Sequence, residues 1–155
     1  SNITIMSGTF AKTQINNINA LSNWDTSKVT TFQTMFGECG NLSDVKGLEN
    51  WDTSKVTSTR SMFTKCYKLT NINLNNWDVS NVSDMGYMFW ECNNLTELDF
   101  TKWNTTSLTS AREMLCYTRK LDIVKVGSGW NTSKADVAGM FAGSKINQVT
   151  LVTEN

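Results

Sequence analysis

The residues of this chain whose types and spacing suggest chemistry are four cysteines (Cys39, Cys66, Cys92, Cys116), a row of aspartates (Asp25, Asp52, Asp78) and a row of tryptophans. They would offer thiol nucleophiles or metal ligands, carboxylates for a hard cation, and an aromatic platform for sugar stacking. Spacing argues against the first two. Histidine is absent from all 155 residues, which removes the commonest general base and metal ligand together. Cys39, Cys66 and Cys92 each stand three residues after a phenylalanine (Phe36, Phe63, Phe89) and are expected to face inward as small apolar residues. The four separations match neither a disulfide framework nor a zinc site. Cys116 follows Leu115 directly and aligns with Gly37, Thr64, Trp90 and Ala142, so it is expected to face water and to be the first thiol modified. Each of the three aspartates opens an Asp-Thr-Ser or Asp-Val-Ser phrase suited to capping a turn, and Asn104 and Asn131 take its place later, which dilutes a calcium row. Glu38 and Glu91 read as solvated charges, and no serine, lysine or cysteine breaks the pattern to build a nucleophile. The chain is expected to be non-catalytic, with no cofactor and no metal.

What positions these residues is a repeat. Trp24, Trp51, Trp77, Trp103 and Trp130 are 27, 26, 26 and 27 residues apart, and each opens the same phrase, as in NWDTSKVTSTRSMFTKC and NWDVSNVSDMGYMFWEC. Met-Phe or Met-Leu recurs at 35/36, 62/63, 88/89, 114/115 and 140/141, with Phe10 in the same slot of an incomplete first copy. Val82, Met85, Met88, Phe89 and Cys92 are spaced by three and four, which predicts a short helix or helical turn behind each tryptophan. Leu-x-x-Leu-x-Leu phrases follow, clearest at Leu69, Ile72 and Leu74, at Leu95, Leu98 and Phe100, and at Leu121, Val124 and Val126; their final alternation predicts a strand in every copy. A single copy offers too few large apolar side chains to offset the entropy of ordering its backbone, so copies must stack to fold. The identical positions of the tryptophans in every copy read as packing rather than as a sugar platform.

Composition narrows the partners. Lys plus Arg and Asp plus Glu balance at 14 each, so there is no basic field for nucleic acid. No apolar run reaches the roughly 18 residues that span a bilayer, so no membrane insertion is expected of this segment.

The phrase WD-x-S-x-V, then MF-x-x-C, then L-x-x-L-x-L resembles the roughly 26-residue repeat of BspA-like leucine-rich-repeat surface proteins of bacteria. Trp51, Asp52, Ser54, Val56, Met62, Phe63, Cys66 and Leu69 carry the likeness, as do Trp77, Asp78, Ser80, Val82, Met88, Phe89, Cys92 and Leu95; Thr118 and Ser144 replace the cysteine in later copies. The resemblance implies an α/β, right-handed leucine-rich-repeat-type solenoid of about six coils, with a short parallel β-sheet on one side and short helices or helical turns on the other. The coils would run 3–23, 24–50, 51–76, 77–102, 103–129 and 130–155 within one domain, 1–155, of a longer surface protein. It further implies an extracellular, cell-surface location and relatives that adhere to host proteins or mucosal surfaces. It transfers no binding residues, because the family motif consists of scaffold positions.

Ligand contacts are therefore sought where copies differ. On the sheet side these are Asn71, Asn73, Asn75, Glu97 and Asp99, short amides and carboxylates suited to a polar partner. On the Met-Phe side Tyr67, Tyr87, Trp90 and Tyr117 place aromatics in neighbouring copies as a contact patch, which ranks slightly above the sheet face. Three readings stay open: an adhesion or protein-binding module, a carbohydrate-binding module for mucin or wall glycans, and a structural spacer. A monomer with possible end-to-end contacts is expected.

Overall fold

A computed structural model describes residues 2–153, so the outermost ends of the expected domain at Ser1, Glu154 and Asn155 lie outside the described residues. Residues one repeat apart are neighbours. Parallel bridges join Ile5 to Thr31, Thr31 to Ser58, Ser58 to Asp84, Asp84 to Ser110 and Ser110 to Asp136, one unbroken row across six segments. On the opposite side β1 (Glu97–Phe100), β2 (Ile123–Val126) and β3 (Thr150–Leu151) form a parallel sheet in the order β1-β2-β3, with Leu98 opposite Val124 and Phe100 opposite Val126. Those four residues turn inward and are buried, while Glu97 is exposed.

Strands do not form in every copy. In the earlier copies one bridge, Asn17 to Asp44, and short 3-10 turns at Asn19–Leu21 and Leu48–Asn50 stand in their place. In these copies Asn17 Oδ1 accepts the Asn19 N–H, Asp44 Oδ1 that of Lys46 and Asn73 Oδ1 that of Asn75, the same local bond that Asp99 makes to the Thr101 N–H at the end of β1.

The segment behind each tryptophan buries the expected residues but is not an α-helix; among the described residues there is none. Its N–H groups alternate between two kinds of acceptor. Phe32, Thr34, Phe36 and Glu38 donate to the Ser58, Arg60, Met62 and Thr64 carbonyls of the next copy, while Met35, Gly37 and Cys39 donate to carbonyls three residues back. A chain of turns therefore hydrogen-bonds sideways, and it brings residues three and four apart to the same inner face as a helix would. Left-handed backbone recurs twice per copy, four residues apart: at Gly8 and Lys12, Thr34 and Glu38, Ser61 and Lys65, Tyr87 and Glu91, Glu113 and Tyr117, and Gly139 and Gly143. Such residues cannot continue an α-helix.

Between these sides lies one core of stacked like residues. The rings of Phe10, Phe36, Phe63 and Phe89 follow one another at 5.7, 5.6 and 5.6 Å in nearly parallel planes. Trp51, Trp77 and Trp103 are buried, and each indole N–H donates to a carbonyl 29 or 30 residues earlier in the chain, at Leu21, Leu48 and Leu74. Trp24 and Trp130, in the first and last of the five phrases, are less covered. The cysteine column follows the same rule: Cys39, Cys66 and Cys92 donate to the carbonyls of Phe10, Phe36 and Phe63, and Ser144 donates to that of Leu115. Thr118 turns instead to the Leu115 carbonyl of its own copy, at 2.7 Å.

Cys116 departs from expectation. It is 3% exposed rather than facing water, yet it is not part of the core that holds Leu115; the Trp90 side chain lies against its thiol, and Tyr117 stays outside. Burial pushes the Cys66 and Cys116 thiols up, and the Cys92 thiol up to about 12. All four cysteines are free and buried, so slow, opening-limited labelling of every thiol is expected at neutral pH. Rapid modification of Cys116 in native protein, followed by mass spectrometry, would contradict its placement.

Candidate functional site

The four aromatics proposed as a patch are held by neighbours one copy away. The Tyr67 hydroxyl donates to Glu91 at 3.1 Å, and the Tyr87 hydroxyl donates to Glu113 at 3.4 Å while the Arg60 guanidinium lies 4.7 Å from the Tyr87 ring centroid. Trp90 meets Tyr117 edge-on at 6.1 Å beneath the Lys65 ammonium, and its side chain lies against the Cys116 thiol. Tyr67 lies against Gly40 and Tyr117 against Gly143, where a Cβ would come within 3.2 and 2.3 Å of the rings. Among the described residues no ring contact joins Tyr87 to the other three. Tyr67 and Tyr117 are exposed by about two-fifths, Tyr87 and Trp90 less. The patch is thus a set of braces between copies, and what it offers solvent is divided.

The sheet-side residues, by contrast, converge. Asn71, Asn73, Asn75, Glu97 and Asp99 all line one open cleft of about 510 Å³, together with Asn76 and Lys102. A second cleft of about 440 Å³ shares Asn71, Ile72 and Asn73 with it and extends past Asp44, Lys46 and Glu49. The two make one polar groove across the second, third and fourth copies.

The groove's floor is fixed from within. Asn75 Oδ1 accepts the Lys102 N–H at 2.9 Å and Asn75 Nδ2 donates to Thr101 Oγ1 at 3.2 Å. Asp99 Oδ1 accepts both the N–H and the hydroxyl of Thr101, at 2.9 and 2.7 Å. Glu97 pairs with Lys125, and Lys102 Nζ donates to Asn76 Oδ1 at 3.2 Å. The Asn73 amide N–H groups and the Lys46 ammonium have no partner among the described residues. The groove therefore presents pre-set carboxylates and amides beside two uncommitted donors, an arrangement that reads hydrogen-bonding groups rather than apolar bulk. Lys46 and Lys102 also line this groove; Lys46 stands within the sheet phrase of its copy, among the positions read from sequence as facing a ligand, whereas Lys102, directly before Trp103, was not among them.

The aspartate row is engaged locally. Asp52 Oδ1 accepts the Ser54 N–H at 3.0 Å and its hydroxyl at 2.7 Å, and the same pair of bonds joins Asp25 to Ser27 and Asp78 to Ser80. Among the described residues no group of three or more His, Cys, Asp or Glu side chains is arranged to hold a metal ion. The serine bonds hold the Asp25 and Asp52 carboxyls below their ordinary value of 3.8. A depressed folded-state value stabilises the fold above the ordinary value, and that contribution is lost as pH falls through the depressed one. Asn104 and Asn131 keep the same bond without a charge, through the Thr106 and Ser133 N–H groups at 3.1 and 2.9 Å. Asp52→Asn is therefore expected to lose less stability than wild type on acidification from about pH 5 to pH 2, read from urea midpoints. An unchanged acid limb would remove Asp52 from the account.

A family model described as "Mycoplasma protein of unknown function, DUF285" matches residues 1–44 and 39–153, nearly the whole chain, and the chain belongs to that family. No curated protein and no solved structure matches it.

Proposed function

We propose that this member of the DUF285 family is a non-catalytic binding module, a BspA-like, right-handed leucine-rich-repeat-type solenoid displayed at a cell surface, and that it adheres to a protein partner through its sheet-side groove. The observation that supports this reading is a division of labour among positions. Side chains that recur from copy to copy are buried or bonded to an earlier copy, as Trp51, Trp77 and Trp103 are, while the polar sheet-side residues that differ line the groove. Carboxylates, amides and the free Lys46 ammonium match the donors and acceptors of an extended polypeptide. A sugar reading draws less support, since Tyr67, Tyr87, Trp90 and Tyr117 are braced between copies and the groove holds none of them.

Binding of the purified chain to a panel of matrix proteins, mucins and glycans tests the proposal. Saturable binding to a protein that free monosaccharides do not displace is expected. Displacement by a simple sugar would replace the partner class with a glycan, and silence across the panel would favour a spacer.

A further inference from the structure

We propose that the groove reads the main chain of its protein partner: an extended segment of a polypeptide lies along residues 70–74 of the third copy and exchanges backbone hydrogen bonds with them. This mode of binding rests on the reading of the groove as the site of a protein partner, and specifies how that partner is held. Backbone pairing between copies is continuous on the Met-Phe side. Phe32, Thr34, Phe36 and Glu38 of the second copy donate to the third, and Thr59, Ser61, Phe63 and Lys65 of the third donate to the Asp84, Gly86, Met88 and Trp90 carbonyls of the fourth.

On the sheet side pairing is interrupted. The Asn16 carbonyl accepts the Ser43 and Asp44 N–H groups and Ile18 donates to Asp44, which joins the first and second copies, and β1 and β2 pair along their whole length between the fourth and fifth. Among the described residues no backbone hydrogen bond joins 42–48 to 69–74, and only one joins 69–74 to 95–100, from the Thr96 N–H to the Thr70 carbonyl at 3.3 Å. The break sits where the phrase changes length. Ile18 and Leu21, like Val45 and Leu48, are three residues apart, whereas Ile72 and Leu74, like Leu98 and Phe100, are two apart, and Gly47 at a φ of 102° takes up the extra residue of the second copy. Val45, Ile72 and Leu98 still bury their side chains, so the copies stay stacked while their backbones fail to meet.

The consequence falls on one segment. The N–H groups and carbonyls of Asn71, Ile72 and Asn73 have no hydrogen-bond partner among the described residues. The same three residues line both clefts, the one of about 440 Å³ toward the second copy and the one of about 510 Å³ toward the fourth. In β1 and β2 the equivalent groups are satisfied by a neighbouring strand. Donors and acceptors that alternate along an extended backbone are matched in order and spacing by another extended main chain, whatever its side chains. A monosaccharide or a folded protein surface presents no such row, so the occupant is an extended stretch of polypeptide.

Random decapeptides passed over the immobilised chain test this, with one retained sequence then resynthesised to carry N-methyl groups at alternate residues. Each methyl deletes one N–H and leaves the side chains in place. Peptides should be retained, and N-methylation in one of the two alternate registers should weaken binding at least about tenfold, because alternate residues of an extended segment turn their N–H groups to the same side. On this chain Asn71→Pro deletes an N–H that the fold does not use and should weaken the same peptide comparably, while Asn71→Ala loses the same side chain, keeps the N–H and should bind as wild type does. Should Asn71→Pro unfold by circular dichroism, hydrogen exchange on the wild-type chain decides. The Asn71, Ile72 and Asn73 amides are expected to exchange fast in the free chain, beside a slow Phe63 amide bonded to Met88, and to be protected by saturating peptide. Peptide binding that tolerates N-methylation in both registers, or that leaves those three amides unprotected, would overturn main-chain recognition. Retention of no peptide would overturn it too, and binding of a folded panel protein that the Lys46→Glu, Asn73→Ala variant loses would then leave the groove itself standing as the site.

Discussion

Truncating Trp77 to alanine is expected to destabilise the chain by about 3–5 kcal/mol, the range for removing a large aromatic from a close-packed core. Trp77 is 3% exposed, its indole N–H donates to the Leu48 carbonyl at 2.8 Å, and its ring lies 5.9 Å from that of Phe32. The change leaves a cavity in the middle of the stack and removes one of the two hydrogen bonds to the Leu48 carbonyl, which keeps the Trp51 N–H. Because stability in such a stack is shared between nearest neighbours, the loss should also split a single urea transition into two. Trp24 occupies the same slot at the open end and is 36% exposed, so Trp24→Ala should cost only about 1 kcal/mol. Equal losses at the two positions would mean that the stacking of copies is not what stabilises the tryptophans.

Gly127→Ala is the second large effect. Gly127 follows β2 directly, and a Cβ there would lie 2.1 Å from the Thr101 carbonyl oxygen, a backbone atom that cannot swing away. Relief requires β1 and β2 to part at one end, so a loss of about 3 kcal/mol is expected by chemical denaturation. Gly8→Ala is the matching control. Its φ is +65° but a Cβ would meet no atom within 4 Å, so the cost is backbone conformation alone, about 1 kcal/mol. A negligible effect at Gly127 would show that the two copies do not approach so closely.

The period and the inward residues were legible because stacking makes burial repeat: Phe36, Phe63 and Phe89 must lie over one another if their copies do. The hydrogen bonding behind them was not. Residues spaced by three and four face one way whether the backbone is a helix or a chain of turns, and side-chain spacing cannot tell which carbonyl an N–H will reach. A signal was present in two aligned columns, one running Gly8, Thr34, Ser61, Tyr87, Glu113, Gly139 and the other Lys12, Glu38, Lys65, Glu91, Tyr117, Gly143. Glycine at the outer copies marks left-handed backbone that the inner copies reach with ordinary residues. Cys116 was placed in water because its slot holds Gly37, Thr64, Trp90 and Ala142 in the other copies; what covers it is Trp90, one repeat away in the chain.

Of the two surfaces read from sequence, the polar one, ranked second, is the one whose residues line a single cleft. Its residues were identifiable as positions that differ between copies, but that they line one cleft depends on how neighbouring copies stack, which the sequence does not show. The aromatics looked free because their partners, Glu91 for Tyr67 and Glu113 for Tyr87, lie one whole repeat away in the chain.

The central claim is that recognition belongs to the groove and the repeated residues to the scaffold. The most direct test is to measure partner binding by two folded variants in parallel, Lys46→Glu with Asn73→Ala in the groove and Tyr67→Ala with Tyr117→Ala among the braces. The account predicts at least about a tenfold loss of affinity for the groove variant, equivalent to roughly 1.4 kcal/mol, and near wild-type binding for the other. Wild-type binding by the groove variant, with the loss falling on the tyrosine variant, would contradict it and return the site to the Met-Phe side.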